Sequence, residues 1–232
     1  MPSYHDRGIV LKTMRLGEAD RIVTFMTEEH GKVRAVAKGV RKTTSKFGGR
    51  LEPVGHLSIM CWKGRDLDIV QQVQVLDSFR AIKEDYERLS QAAGMLEAVD
   101  KLSLEHHADG ALYKMLLGAL KVVESGNVSM ARGAFYFKAL ALEGTAPVVH
   151  ACANCGAEDG LVAFDILQGG LLCSNCRSGS PISGDAILAL RLILGGGLSR
   201  ALSETGPQAA EEIALLGKKS LEMYLNTRLK VG

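Results

Sequence analysis

The chain has 232 residues, 47% hydrophobic and 23% charged, enough apolar material to bury a substantial core in one large domain or two to three small ones. No run approaches the roughly 18 to 20 uninterrupted apolar residues of a membrane span, and the N-terminus MPSYHDRGIV lacks the apolar stretch of a signal peptide, so a cytosolic chain without membrane association is expected. The net charge of +2 hides an uneven distribution: residues 1–80 carry 14 Lys and Arg against 9 Asp and Glu, 81–147 carry 7 against 9, and 148–232 carry 7 against 8.

Residues 8–14, 21–27, 32–38, 56–62 and 68–76 are short β-branched runs with partial alternation, separated by the turn formers LGEAD, EEHG, TSKFGG and KGRD. Five short strands in so little chain suggest a small barrel, and the five-stranded OB-fold is the natural candidate. Its longest loop joins the third and fourth strands. That loop is basic: between Glu29 and Glu52 lie Lys32, Arg34, Lys38, Arg41, Lys42, Lys46 and Arg50 with no acid among them.

From Asp77 the apolar spacing changes to three and four residues, which predicts helices over 79–105, 111–125 and 130–144, the first capped by Asp77 or Ser78 and the third stopped by Gly144 and Pro147. Two more are expected over 184–196 and 207–230, the last with Pro207 in its first turn. The C-terminal helices follow so closely that they are expected to pack back on the helical body. The expected division is 1–78 barrel, 79–147 first helical part, 148–181 cysteine segment and 182–232 second helical part, an α+β multidomain chain.

Four of the five cysteines fall in two tight pairs. Cys152-x2-Cys155, a 17-residue spacer and Cys173-x2-Cys176 fit a four-thiolate zinc ribbon in a reduced compartment better than a disulfide framework. The segment between the pairs, LVAFDILQGGLL, reads as a hairpin with Gly169-Gly170 at or near its turn. Protein ligands at all four positions leave no room for water or substrate, so one structural zinc ion is expected. His150 is the alternative ligand, and Cys61, beside Trp62, reads as a core residue.

Catalytic motifs are absent: there is no GxxxxGK[ST], HExxH or GxSxG, and Gly195-Gly196-Gly197 lacks the strand context of a dinucleotide loop. His106 and His107 offer metal ligands or acid–base groups, but adjacent residues on a helix point about 100° apart, and they read as an exposed helix end. Glu18 and Asp20 in LGEADR offer a carboxylate pair but read as residues that tether or cap the loop, Asp20 through Arg21.

LKTMRLGEADRIVTFMTEEHGKVRAVAKGVRK at 11–42, TSKFGGRLEPVGHLSI at 44–59, the helical middle, CANCG followed by FDILQGGLLCSNC, and the helical C-terminus together carry a resemblance that covers the whole chain. On these features it resembles the RecO family of bacterial recombination mediators. The resemblance implies an N-terminal OB-fold, a helical domain with an inserted zinc ribbon, and no enzymatic activity. It further implies binding to single- and double-stranded DNA, annealing of complementary strands and, with RecR, assistance to RecA in displacing SSB, whose C-terminal tail is a partner; the setting is the cytoplasm, at the nucleoid. On that reading Lys32, Arg34 and Lys38 line one side of a strand, and Arg41, Lys42, Lys46 and Arg50 extend it through a flexible loop that contacts phosphates. A nuclease would need acids around an open metal site, which the basic segment lacks. The remaining alternative is a zinc-ribbon adaptor that binds proteins and no DNA.

Overall fold

In the computed structural model, which describes residues 2–126 and 128–231, the first third closes into a five-stranded barrel. Its strands are β1 (Ser3–Leu16), β2 (Asp20–Thr27), β3 (Gly31–Ala37), β4 (His56–Trp62) and β5 (Asp68–Asp77), in the order β1-β2-β3-β5-β4 with β4 returning to β1. Only β3 and β5 run parallel. This is the OB-like arrangement anticipated from the spacing of the β-branched runs.

β1 begins five residues before the expected start. Its first half, Ser3–Ile9, pairs with β4, whereas Gly8–Leu16 pairs with β2, with a register shift between Val10 and Lys12 that turns the strand from one neighbour to the other. The Tyr4-His5-Asp6-Arg7 half carries little apolar patterning, so only the stretch covered by core was legible. Val10, Val23, Phe25, Leu57, Ile59 and Val70 fill the barrel, with Cys61 fully buried among them.

The single helix expected over 79–105 is two: α1 (Arg80–Glu84) and α2 (Tyr86–Leu102). Asp85 breaks it. Its backbone is extended, and its side chain accepts a 2.9 Å bond from the Arg88 N–H, capping α2 from inside the periodic stretch. Neither Asp77 nor Ser78 caps α1. The Asp77 carboxylate instead meets His56 Nδ1 at 2.7 Å, and the α1 N–H groups of Ala81 and Ile82 donate to Glu124, at the end of α3 (Gly110–Glu124). His56 is buried, with its Nε2 2.7 Å from the Tyr113 hydroxyl, so one imidazole joins β4, β5 and α3. His106 and His107 are exposed, beyond the end of α2 in the connection to α3.

The described chain divides into two compact units, one reaching residue 125 and the other covering 126–230. The second contains α4 (Ala131–Leu142), a small sheet of β6 (Leu161–Asp165), β7 (Gly170–Cys173) and β8 (Ser180–Pro181) in the order β7-β6-β8, then α5 (Gly184–Leu194), α6 (Leu198–Glu204) and α7 (Pro207–Leu225). α4 and α7 approach closely because Gly133 faces Gly217: a Cβ on Gly133 would sit 2.8 Å from Ala214 Cα. The seven-residue α6, too short for a periodic signal, was not expected. α7 stops five residues early, where Asn226 takes a left-handed conformation and the following segment folds back, the Leu229 N–H donating to Glu222.

Candidate nucleic-acid interface and candidate metal centre

The basic connection between β3 and β4 is built onto the barrel at several points. Gly39, in the left-handed region, donates its N–H to Asp20 Oδ1 at 2.7 Å, and the Arg41 N–H donates to the Ala19 carbonyl at 2.9 Å. Asp20 thus tethers the loop through the Gly39 backbone and not through Arg21. The Arg41 guanidinium reaches the Gly17 carbonyl at 3.2 Å, so the β1–β2 turn and the start of the basic loop form one ledge. Further on, Phe47 and Leu51, the latter in a short 3-10 turn, are sunk into the barrel core. The loop, expected to be flexible, is therefore anchored at both ends of its basic run.

Lys38, Arg41, Lys42, Lys46 and Arg50 are exposed on this framework. Lys46 Nζ donates to the Gln71 carbonyl of β5 at 2.9 Å and stands 5.0 Å from the centre of the Phe47 ring; the Arg50 guanidinium reaches the Lys46 carbonyl at 3.4 Å. Those bonds are to neutral carbonyls and leave the charge uncompensated. Among the described residues none of the five has a carboxylate within ion-pair distance.

Lys32 and Arg34 lie on the outward face of β3, as alternation requires, but that face is occupied. The Lys32 ammonium donates to the Asp100 carbonyl at 2.6 Å and lies 3.8 Å from its carboxylate, which also binds Lys12 at 2.5 Å. Arg34 is 3.5 Å from Glu105, and the strand itself is bridged by the His106 N–H donating to the Lys32 carbonyl. The sequence-distant acids of α2 and the loop after it take up these two cations.

The cysteine segment forms two knuckles joined by the β6–β7 hairpin. Cys152 accepts on its carbonyl from the Gly156 N–H, Gly156 being left-handed, and the Cys173 carbonyl accepts from the Cys176 N–H, so each pair closes a tight turn. The Asp165 carboxylate ties the hairpin turn to the second knuckle by accepting from the N–H groups of Leu167 and Gln168 and from the Ser178 hydroxyl. Phe164 of β6 packs edge-on against Phe137 of α4, ring centres 6.0 Å apart.

These turns bring the Sγ atoms of Cys152, Cys155, Cys173 and Cys176 within 4.8 Å of one another; His150 is outside the group and exposed. Four thiolates at about 2.3 Å from one ion would be separated by about 3.8 Å, the edge of the tetrahedron. The Cys155 and Cys173 sulfurs, 3.7 Å apart, match that edge, and no other separation exceeds it by more than about 1 Å, so the four could hold a metal ion. Backbone N–H bonds, from Cys173 first and then Cys155 and Asn154, lower the Cys152 thiol to about 6; against a lowering bond from Asn154, hydrogen bonds among the sulfurs push Cys176 up to about 12. A bound cation stabilises all four thiolates together. Among the described residues no other group of three or more His, Cys, Asp or Glu converges in this way.

No helix among the described residues is long and apolar enough to cross a membrane. The second unit also holds an apolar cleft of about 200 Å³, lined by Leu140, Pro147, Phe164, Ile166, Met223 and Tyr224.

Two family models account for nearly all of the chain: the one described as the recombination protein O N terminal matches residues 1–79, and the one described as the recombination protein O C terminal matches residues 83–231. The barrel falls within the first match and the helices and cysteine cluster within the second. With a barrel of the OB type, a helical body and a ribbon-like cysteine cluster in place, the chain belongs to the recombination protein O (RecO) family and has its role in DNA repair and recombination.

Proposed function

We propose that the chain is a non-enzymatic recombination mediator that binds single- and double-stranded DNA on its barrel, anneals complementary strands and, with RecR, helps load RecA onto SSB-coated single strands. The observation that carries this reading is the anchored ledge of Lys38, Arg41, Lys42, Lys46 and Arg50, five exposed cations with no acid among them on a fold suited to nucleic acid. Lys32 and Arg34, already paired with Asp100 and Glu105, contribute by holding β3 in place.

Such a surface favours phosphate contacts and hence sequence-independent binding, as a protein that acts on any broken DNA requires. Annealing follows from the same chemistry, because cations that screen two backbones at once lower their mutual repulsion. The metal is one structural zinc ion, held by Cys152, Cys155, Cys173 and Cys176, that keeps the ribbon folded and takes no part in DNA chemistry. The acidic C-terminal tail of SSB seats its apolar end in the cleft between α4, α7 and the ribbon, and the protein works in the cytoplasm at the nucleoid.

Titration of the purified protein onto bare and SSB-coated single strands, with and without RecR, tests this directly. Binding to bare strands, retention on coated ones and faster RecA loading with RecR are expected. Association with SSB or RecR without any DNA binding would replace this reading with that of a protein adaptor.

A further inference from the structure

The barrel sequence offers few aromatic residues, and the fold disposes of them very differently. Phe25 and Phe47 are fully buried, and Tyr4 is tied through its hydroxyl to the Asp68 carboxylate at 2.5 Å with its ring against His30. Trp62, the only tryptophan of the chain, is 43% exposed. It ends β4 on the outward side, next after the buried Cys61, and is flanked in register by Ser3 of β1 and Ile69 of β5.

Three features place this ring on the path of a nucleic acid chain. The basic ledge borders the neighbouring strand: Lys46 is bonded to Gln71, two residues along β5 from the Ile69 that pairs with Trp62. On the other side Trp62 leads into the β4–β5 turn, which exposes Lys63 and Arg65 with one acid, Asp66. That turn is fixed, because the buried Asp68 carboxylate accepts from the Gly64 N–H at 2.9 Å. Cations thus stand on both sides of an exposed indole, whereas the acids Glu28 and Glu29 lie at the β2–β3 turn, next to Arg7.

We propose that Trp62 is a stacking platform for an unpaired base of single-stranded nucleic acid, with Lys46 and Arg50 on one side and Lys63 and Arg65 on the other holding the adjoining phosphates. The inference rests on the DNA-binding reading above and adds to it a preference for unpaired strands: a base in a duplex is already stacked and gains nothing from the indole, whereas an unpaired base of any identity has a free face to offer. The occupant is nucleic acid and not an apolar protein surface, because the segments on the two sides of the ring expose Lys46, Arg50, Lys63 and Arg65 against one acid, Asp66.

A single tryptophan makes the test direct. Titrating the full chain with an oligothymidine should quench its emission in step with binding measured independently by anisotropy of a labelled oligonucleotide. Trp62→Ala should lower single-strand affinity by roughly ten-fold or more and leave duplex affinity within about two-fold, with the slope of log affinity against log salt unchanged since no charge is lost. Trp62→Phe should retain most of the binding, and circular dichroism melts establish that both variants fold; the emission of the parent protein gives a readout that depends on neither. Oligonucleotide binding with unaltered emission and a parent-like Trp62→Ala variant would overturn the platform and leave the basic ledge standing. No binding of any oligonucleotide would overturn both. A blue shift that follows protein concentration, and not added oligonucleotide, would assign the face to contact between copies of the chain and overturn the proposal as well.

Discussion

Replacing Lys38, Arg41, Lys42, Lys46 and Arg50 together by Gln removes five charges, along with the surface bonds that Arg41, Lys46 and Arg50 make to the carbonyls of Gly17, Gln71 and Lys46. If each cation neutralises one phosphate of a single strand, the slope of log affinity against log salt should flatten by roughly 3.5, at about 0.7 per contact. Over a four-fold change in salt that corresponds to about a hundred-fold smaller loss of affinity than the parent suffers. The assay is anisotropy of a labelled oligonucleotide at several salt concentrations, repeated with unrelated sequences, which should all be affected alike because phosphates carry no base information. Annealing of complementary strands should slow in parallel. The melting temperature should stay near that of the parent, since Phe47, Leu51 and the Asp20 to Gly39 bond that anchor the loop are untouched. An unchanged salt slope would refute the reasoning and move the DNA surface elsewhere.

Other consequences are separately measurable. Purified protein should contain about one zinc per chain, and Cys173→Ser should lose it and unfold the ribbon while oligonucleotide binding by the barrel persists, as read by metal analysis, circular dichroism and anisotropy. Asp20→Ala removes the bond to the Gly39 N–H and should lower DNA affinity by about five-fold without changing the salt slope, because the cations remain but must be ordered on binding. Gly133→Ala drives a methyl group to 2.8 Å from the backbone of Ala214 and should destabilise the second unit by about 1–3 kcal/mol in a denaturant melt. His56→Leu leaves the Tyr113 hydroxyl without its imidazole partner and should cost the first unit about 1–3 kcal/mol, with little effect on zinc content.

What could be read from the sequence was whatever is decided locally. The two Cys-x2-Cys turns close within a few residues of chain, so their spacing alone announced the cluster that the fold assembles. The five barrel strands were legible wherever a core covers them, and illegible in the Tyr4–Arg7 half of β1, which is held by pairing with β4. The helix break at Asp85 had a local signal, an Asp three residues before Arg88, that the apolar periodicity overrode. The cap of α1 had none, because Glu124 lies more than forty residues away. Phe47 was legible as an aromatic but not as an anchor, since only the closed barrel makes a core for it.

The basic segment illustrates the same limit in its charges. Counting along the chain gives seven cations between Glu29 and Glu52, and nothing local separates them. The fold does. Strand alternation turns Lys32 and Arg34 outward under α2 and the loop that follows, where Asp100 and Glu105 belong to the mildly acidic middle third; Lys12, from a different strand, converges on the same Asp100. The positive excess of the first third therefore separates into cations that pair within the first unit, three of them on the two acids Asp100 and Glu105, and a part, from Lys38 to Arg50, that faces solvent. Lys32, only 14% exposed and already held by Asp100, has lost much of its solvation and gains little from a phosphate, whereas the exposed cations of the loop release counterions when a phosphate arrives. A run of like charges thus becomes an interface only where the chain leaves it unanswered, and here the remaining cations are those that the Asp20, Phe47 and Leu51 anchors hold on the barrel.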